Sequence, residues 1–330
     1  MPSRRSRSAV LAVLAVYALS LAGCASATTP APSETEAAEP TTITVEDNHG
    51  TQTVTVPPTS VVATDNRTIV TLDSWGVEIV AAPLDIFPAD LSYKAEGADV
   101  INLGNHGEPD LEAVVAADPD LIINGQRFQS YYADFQTIVP DATIVELDPR
   151  EGEALDAELI RQVTALGEIF GKEDEAAQLV ADFEASIERV TSAYDAGDSV
   201  MAVITSGGEI NYAAPTTGRT LGPVFDVLGL TPALEVEGSS EDQGDDISVE
   251  AIAASNPDWI LVMDRDAGVS ANTDEAYTPA NDLIGQSEAL QNVTAVSAGN
   301  IVYMPAGTYL NEGIETYTAF FNAFADALEG

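Results

Sequence analysis

The chain has 330 residues, enough for two modest domains, and sets 54 acidic against 12 basic side chains for a net charge of −42. Such a surface repels nucleic acid and anionic lipid headgroups, so no nucleic-acid partner is expected, and it favours solubility in a salty or alkaline setting. One cysteine excludes an internal disulfide or a cysteine metal cage, and two histidines, both in loops of the first half, exclude a His-rich zinc or manganese cage spanning two lobes.

Residues 1–23 read as a lipoprotein signal peptide. Arg4, Arg5 and Arg7 form its basic start, Ala9 to Leu21 its apolar stretch, and Leu21-Ala22-Gly23-Cys24 a bacterial lipobox. Cys24 would carry diacylglycerol and become the mature N-terminus, anchoring the protein on the extracytoplasmic face of the cell membrane. Removal of residues 1–23, with three arginines and no acids, leaves nine basic against 54 acidic residues, a net charge of −45. Residues 24–40, rich in Ala, Thr, Pro and Glu, read as a disordered tether.

Alternation from Thr42 to Val56 about Asn48-His49-Gly50 predicts a β-hairpin. Val61 to Ala63 is a strand, Asp65-Asn66-Arg67 its exit loop, and a helix runs to Gly76. A strand over Val77 to Ala82 follows, then a loop from Pro83 to Ala98, and Val100 to Leu103 is extended. Gly104-Asn105-His106-Gly107 turns into a helix beginning at Leu111. Tyr131 to Ile138 is a helix and Thr143 to Leu147 a strand. Asp174 to Ala196 places Ala176, Leu179, Val180, Phe183, Ile187, Val190 and Tyr194 on one narrow face, the mark of a long amphipathic helix, and Glu158 to Phe170 is a shorter one leading into it. Beyond it come a strand over Val200 to Thr205, a loop from Ser206 to Gly218, a helix after Arg219, an acidic loop from Glu235 to Asp246, a further polar loop from Val269 to Pro279, a strand over Ile301 to Met304, a loop from Ala306 to Asn311, and a final helix through Tyr317 and Phe324.

Part of the first half recurs in the second. Leu111 to Arg127 aligns without a gap to Val249 to Arg265, with seven of seventeen positions identical. Each copy is a short helix, a Pro-Asp turn and an apolar strand, and each ends in an arginine. A weaker echo pairs Arg67-Thr68 with Arg219-Thr220. Such internal similarity implies two like-folded lobes. The fold class is therefore α/β: two Rossmann-like lobes with mostly parallel sheets, residues 41–150 and 198–330, joined by long rigid crossover helices over residues 151–197. Ligands of such sheets bind beyond the carboxyl ends of the strands.

No nucleophile elbow or phosphate-cradling glycine loop is present, and nothing argues for an enzyme. Arg150, Arg161, Lys172 and Arg189, on or beside the crossover helices, read as partners of nearby acids. Arg127, Arg219 and Arg265 sit in strand-exit loops of both lobes. They either form interlobe salt bridges or, as their repeated placement favours, converge on a ligand bearing several negative charges.

The lipobox, the two Pro-Asp strand units and the long crossover helix resemble the class III solute-binding lipoproteins of bacterial iron-uptake ABC transporters. Within that family, Gln126-Arg127, Gly218-Arg219 and Asp264-Arg265 resemble the arginines of the ferric catecholate siderophore binders. The resemblance implies a monomeric receptor that takes a ferric siderophore, catecholate in type, into an interlobe cleft and delivers it to an ABC permease, with no cofactor beyond the iron inside the ligand. It implies Arg127, Arg219, Arg265, Arg67 and Tyr309 as ligand-binding residues. His106 is either a further ligand contact or a plain loop histidine. Some catecholate binders ligate iron through a His and a Tyr; Tyr309 matches the Tyr, but 235–246, where the His belongs, contains none. The alternatives are a receptor for heme or a mixed-ligand siderophore, or a surface enzyme.

Overall fold

The computed structural model describes residues 40–105, 107–270 and 276–330. The signal segment, Cys24, the tether as far as residue 39, and His106 lie outside the described residues.

The hairpin forms as its alternation predicts, with β1 (Thr41–Asp47) and β2 (Gly50–Val56) antiparallel and Val45 and Val54 buried. The first lobe holds β3 (Val61–Ala63), β4 (Ala81–Ala82), β5 (Ile101–Asn102), β6 (Leu121–Asn124) and β7 (Thr143–Glu146). They form one sheet in the order β5-β4-β3-β6-β7, every pair parallel. β4 is shorter than its apolar run because Val77 N–H turns back to Leu72 O, and pairing begins where Val80 N–H reaches Val61 O at 2.8 Å.

The second lobe holds β8 (Ser199–Ser206), β9 (Glu209–Tyr212), β10 (Thr231–Pro232), β11 (Trp259–Asp264) and β12 (Ile301–Tyr303). Its order β10-β8-β11-β12 is parallel, and β9 lies antiparallel on β8. β9 falls inside the stretch read from sequence as a plain loop. Gly207 and Gly208, at φ 62° and 82°, supply the two left-handed residues a tight hairpin needs.

The long crossover helix runs over Glu173–Ala193, about 31 Å at 1.5 Å per residue. It stops three residues before Ala196 because Tyr194 is extended, its hydroxyl donating to Asp198 O and accepting from Thr231 N–H at 3.1 Å. Phe183 on its inner face stacks on Phe321 of the C-terminal helix Ile314–Glu329, centroids 5.8 Å apart. Arg189 reaches Asn322, Asp326 and Glu329 of the same helix. Arg150 and Arg161 both pair with Glu158, as the sequence suggests, but Glu158 is buried rather than solvated.

A second tie between the lobes does not show in the sequence. Before its last helix, the chain of the second lobe runs back against β3's exit loop. Asn66 Nδ2 donates to Leu310 O at 2.7 Å, and Thr71 Oγ1 to Glu315 Oε1 at 2.6 Å. Any side chain on Gly313 would strike the carbonyl oxygen of Arg67. One apolar core is accordingly continuous through the first lobe, the crossover helices and one face of the second sheet, with a smaller core on that sheet's other face.

Candidate ligand-binding site

The repeat places two of the arginines. β6 and β11 end at Asn124 and Asp264; Arg127 follows in a 3-10 turn (Gln126–Tyr131), and Arg265 opens a short helix (Arg265–Ser270). Arg219 lies beyond β9, just before the helix Gly222–Leu228. Tyr309 sits in a 3-10 turn, Thr308–Leu310, beyond β12.

These four converge. The guanidinium carbons of Arg127, Arg219 and Arg265 stand 5.8, 4.6 and 4.6 Å from the centroid of the Tyr309 ring. The Tyr309 hydroxyl accepts from Arg127 Nη2 at 2.6 Å and lies 3.4 Å from Arg265 Nη2. The electron-rich ring face offsets part of the repulsion among the cations. Two carboxylates offset more. Asp242, at the tip of the acidic loop, accepts from Arg127 at 3.1 Å, from Arg219, and from the Tyr309 hydroxyl at 3.3 Å. Glu312, buried on the far side, takes Arg219 Nε and Nη2 at 3.2 Å, Arg67 Nη2 at 3.3 Å, Gln126 Nε2 at 3.0 Å, and the Thr220 hydroxyl.

The charges follow these contacts. Burial alone would raise both carboxyls, but Arg219 with Arg127 holds Asp242 below the ordinary carboxylate range, and Arg219 with Arg67 does the same for Glu312. Burial pulls Arg219 down, and Glu312 and Asp242 outweigh it, so the guanidinium stays charged. Arg265 is the least committed of the three. Its nearest ion-pair partner, Asp266, is at 3.8 Å, and its buried Nε has no hydrogen-bond partner among the described residues.

Backbone strain marks the same place. Gln126 and Thr220, adjoining Arg127 and Arg219, sit at φ 51° and 62°, a region that non-glycine residues avoid and β-branched ones most of all. Each is held by a carboxylate: Gln126 N–H donates to Asp148 and Thr220 Oγ to Glu312.

The structure thus brings together Arg127, Arg219, Arg265 and Tyr309 from both lobes. Of the three arginines, only Arg127 forms the interlobe ion pair that the sequence allowed, with Asp242, while Arg219 pairs with Asp242 and Glu312 of its own lobe; all three nevertheless converge on Tyr309. Arg67 lies behind Glu312, with Asp148 at 2.5 Å as its other partner. Sequence reasoning missed Asp242 and Glu312, for among 54 acids nothing distinguishes two. Thr220 carried the one available signal, as the partner of Thr68 in the weaker repeat.

Two like α/β lobes on a stiff helix, with cations gathered at the carboxyl ends of their strands, define a solute-binding protein rather than a catalyst. The chain belongs to the periplasmic binding protein family, whose model matches residues 61–308. It is 29% identical to the petrobactin-binding protein YclQ of Bacillus subtilis, over 97% of this chain and 98% of that one. With the ferric-anguibactin-binding protein FatB of Vibrio anguillarum it shares 27%, over 91% and 90%. The crystal structure of YclQ superposes with a TM-score of 0.73 at 26% identity, covering 88% of this chain and 99% of that one. The periplasmic catecholate-siderophore binding protein VctP of Vibrio cholerae, at 24% identity, shares the fold with a TM-score of 0.74, over 86% and 100%.

Proposed function

We propose that this protein is the receptor of an iron-uptake ABC transporter, binding a ferric siderophore of catecholate type at the Arg127–Arg219–Arg265–Tyr309 cluster and passing it to the permease. The observation that carries the reading is the convergence of three guanidiniums, from both lobes, on one phenol ring. A ferric tris-catecholate presents three negative charges on a propeller of aromatic rings, and planar guanidiniums match it twice, as charge-assisted donors to the catecholate oxygens and as cations over the ring faces. The relatives named for binding petrobactin and ferric anguibactin support a siderophore as the ligand. Iron enters inside the ligand, and the protein supplies charge and shape rather than chemistry. Arg67 supports the site from below by holding Glu312 in place for Arg219.

The test is a panel of ferric chelates (catecholate, citrate and hydroxamate) read by quenching of intrinsic fluorescence. Catecholates should bind tightest; binding of none of them, or of hydroxamates alone, overturns the reading. Anchoring through Cys24 belongs to the same proposal: Cys24→Ser should abolish lipid labelling and release the protein from membranes, and unchanged retention refutes the lipobox. The receptor acts as a monomer, which light scattering of the purified protein checks.

A further inference from the structure

The loop over 235–246 is irregular, yet it is firmly pinned. Asp245 exchanges backbone hydrogen bonds with Tyr212, both at 2.8 Å, and its carboxylate accepts from Ser239 N–H and Oγ, each at 2.7 Å. This holds the tip over the arginines. There Asp242 accepts from Arg127, Arg219 and the Tyr309 hydroxyl, three of the groups assigned above to the ligand.

We infer that Asp242 determines specificity as a built-in counter-ion: it fills the arginine cluster, must be displaced by the incoming ligand, and so admits chelates with several negative charges while turning away singly charged anions. This deepens the proposed function and rests on it. Three guanidiniums about one ring need anions, and the two present differ in kind. Glu312 is 1% exposed and has four side chains donating to it, so it stays. The Asp242 side chain is 42% exposed on a loop without regular structure, so it can leave. A free monoanion offers the guanidiniums no more than Asp242 does, and it competes against a tethered carboxylate at an effective concentration on the order of millimolar. A trianionic chelate engages all three arginines at once and prevails. Its apparent affinity is lowered by the fraction of molecules in which Asp242 occupies the site. The carboxyl is held below its usual range, so it remains a charged competitor at neutral pH.

The experiment titrates iron(III) tris-catecholate, made from free catechol, into the wild type, Asp242→Asn, Asp242→Ser and Glu241→Gln. Glu241 is an exposed acid beside Asp242, so its variant removes the same charge from the same loop. Fluorescence quenching should show affinity raised roughly five- to tenfold in both Asp242 variants, a discounted figure because the contact is part exposed, and changed by less than about twofold in Glu241→Gln. In the Asp242 variants alone, benzoate, a monoanion with no catechol to exchange onto the iron, should compete at concentrations the wild type ignores. Affinity unchanged or lowered in both Asp242 variants, an equal gain in Glu241→Gln, or no new competition by the monoanion overturns the inference. Failure of the wild type to bind any ferric catecholate would instead overturn the proposed function.

Discussion

The three arginines divide by what holds them, and that division sets their mutants apart. Arg265 has, among the described residues, only the distant Asp266 at 3.8 Å as an ion-pair partner, so Arg265→Ala should weaken ferric catecholate binding by about 1–3 kcal/mol and leave the melting curve nearly unchanged. Arg219 also neutralises Glu312, whose side chain is 2% exposed. Arg219→Ala should therefore weaken binding and also lower unfolding stability by about 2–3 kcal/mol, less than a fully stranded buried charge because Arg67, Gln126 and Thr220 still face the carboxylate. Parallel titrations and thermal melts separate the two; equal stability losses would show that Glu312 does not depend on Arg219. The three clustered arginines were legible because cations are scarce in this chain and these three lie in strand-exit loops, whereas Tyr309 was reached only through the family resemblance. Asp242 and Glu312 were not, because a carboxylate's role here is set by which arginine folds against it, and those contacts join residues 93 and 115 positions apart.

At the scale of the element, the repeat strands, the hairpin and the long helix were readable because each writes its own periodicity. What failed were elements decided by partners: β4 was trimmed by the helix before it, and β9 exists because Gly207-Gly208 folds the chain back onto β8. The helix Leu155–Phe170 depends on such a partnership at its start. Glu158 accepts from Arg150 and Arg161, and Arg161 also caps the Leu147 and Asp148 carbonyls that end the first lobe's sheet. Burial would raise the Glu158 carboxyl, but the two guanidiniums bring it down to about 2. An unfolded Glu titrates near pH 4.3, so this stabilisation is complete above that pH and disappears as pH falls toward 2. Glu158→Gln should accordingly cost about 2 kcal/mol at pH 7, with the gap to wild type closing through that acid window in chemical denaturation. A gap independent of pH would mean that packing, not charge, is what Glu158 contributes.

For the whole molecule, the question is how far the lobes can move. A helix bends at a proline, a glycine pair or a bulge, and Glu173–Ala193 contains neither proline nor glycine. The C-terminal helix packs along it through Phe183 and Phe321, and the segment from Leu310 to Glu315 is bonded to the first lobe at Asn66 and Thr71. Hinge opening would have to break these contacts together, so loading should bring a few degrees of lobe rocking and a swing of the Asp242 side chain off the arginines at the tip of the pinned loop, not closure. X-ray scattering profiles of free and loaded protein should nearly coincide, and marked compaction would mean that the docked C-terminal segment releases. The field around this body opposes its proposed ligand. Twelve cations against 54 acids repel an anionic chelate at a distance, while the site attracts it at close range. Salt shortens the reach of the first effect, with a Debye length of about 30 Å at 0.01 M and about 8 Å at 0.15 M, before it weakens contacts of a few ångströms. Stopped-flow association of iron(III) tris-catecholate should therefore quicken with added salt and level off once the field is screened. A rate that falls steadily with salt would show that the local potential of the arginine cluster, rather than the net charge, governs the approach.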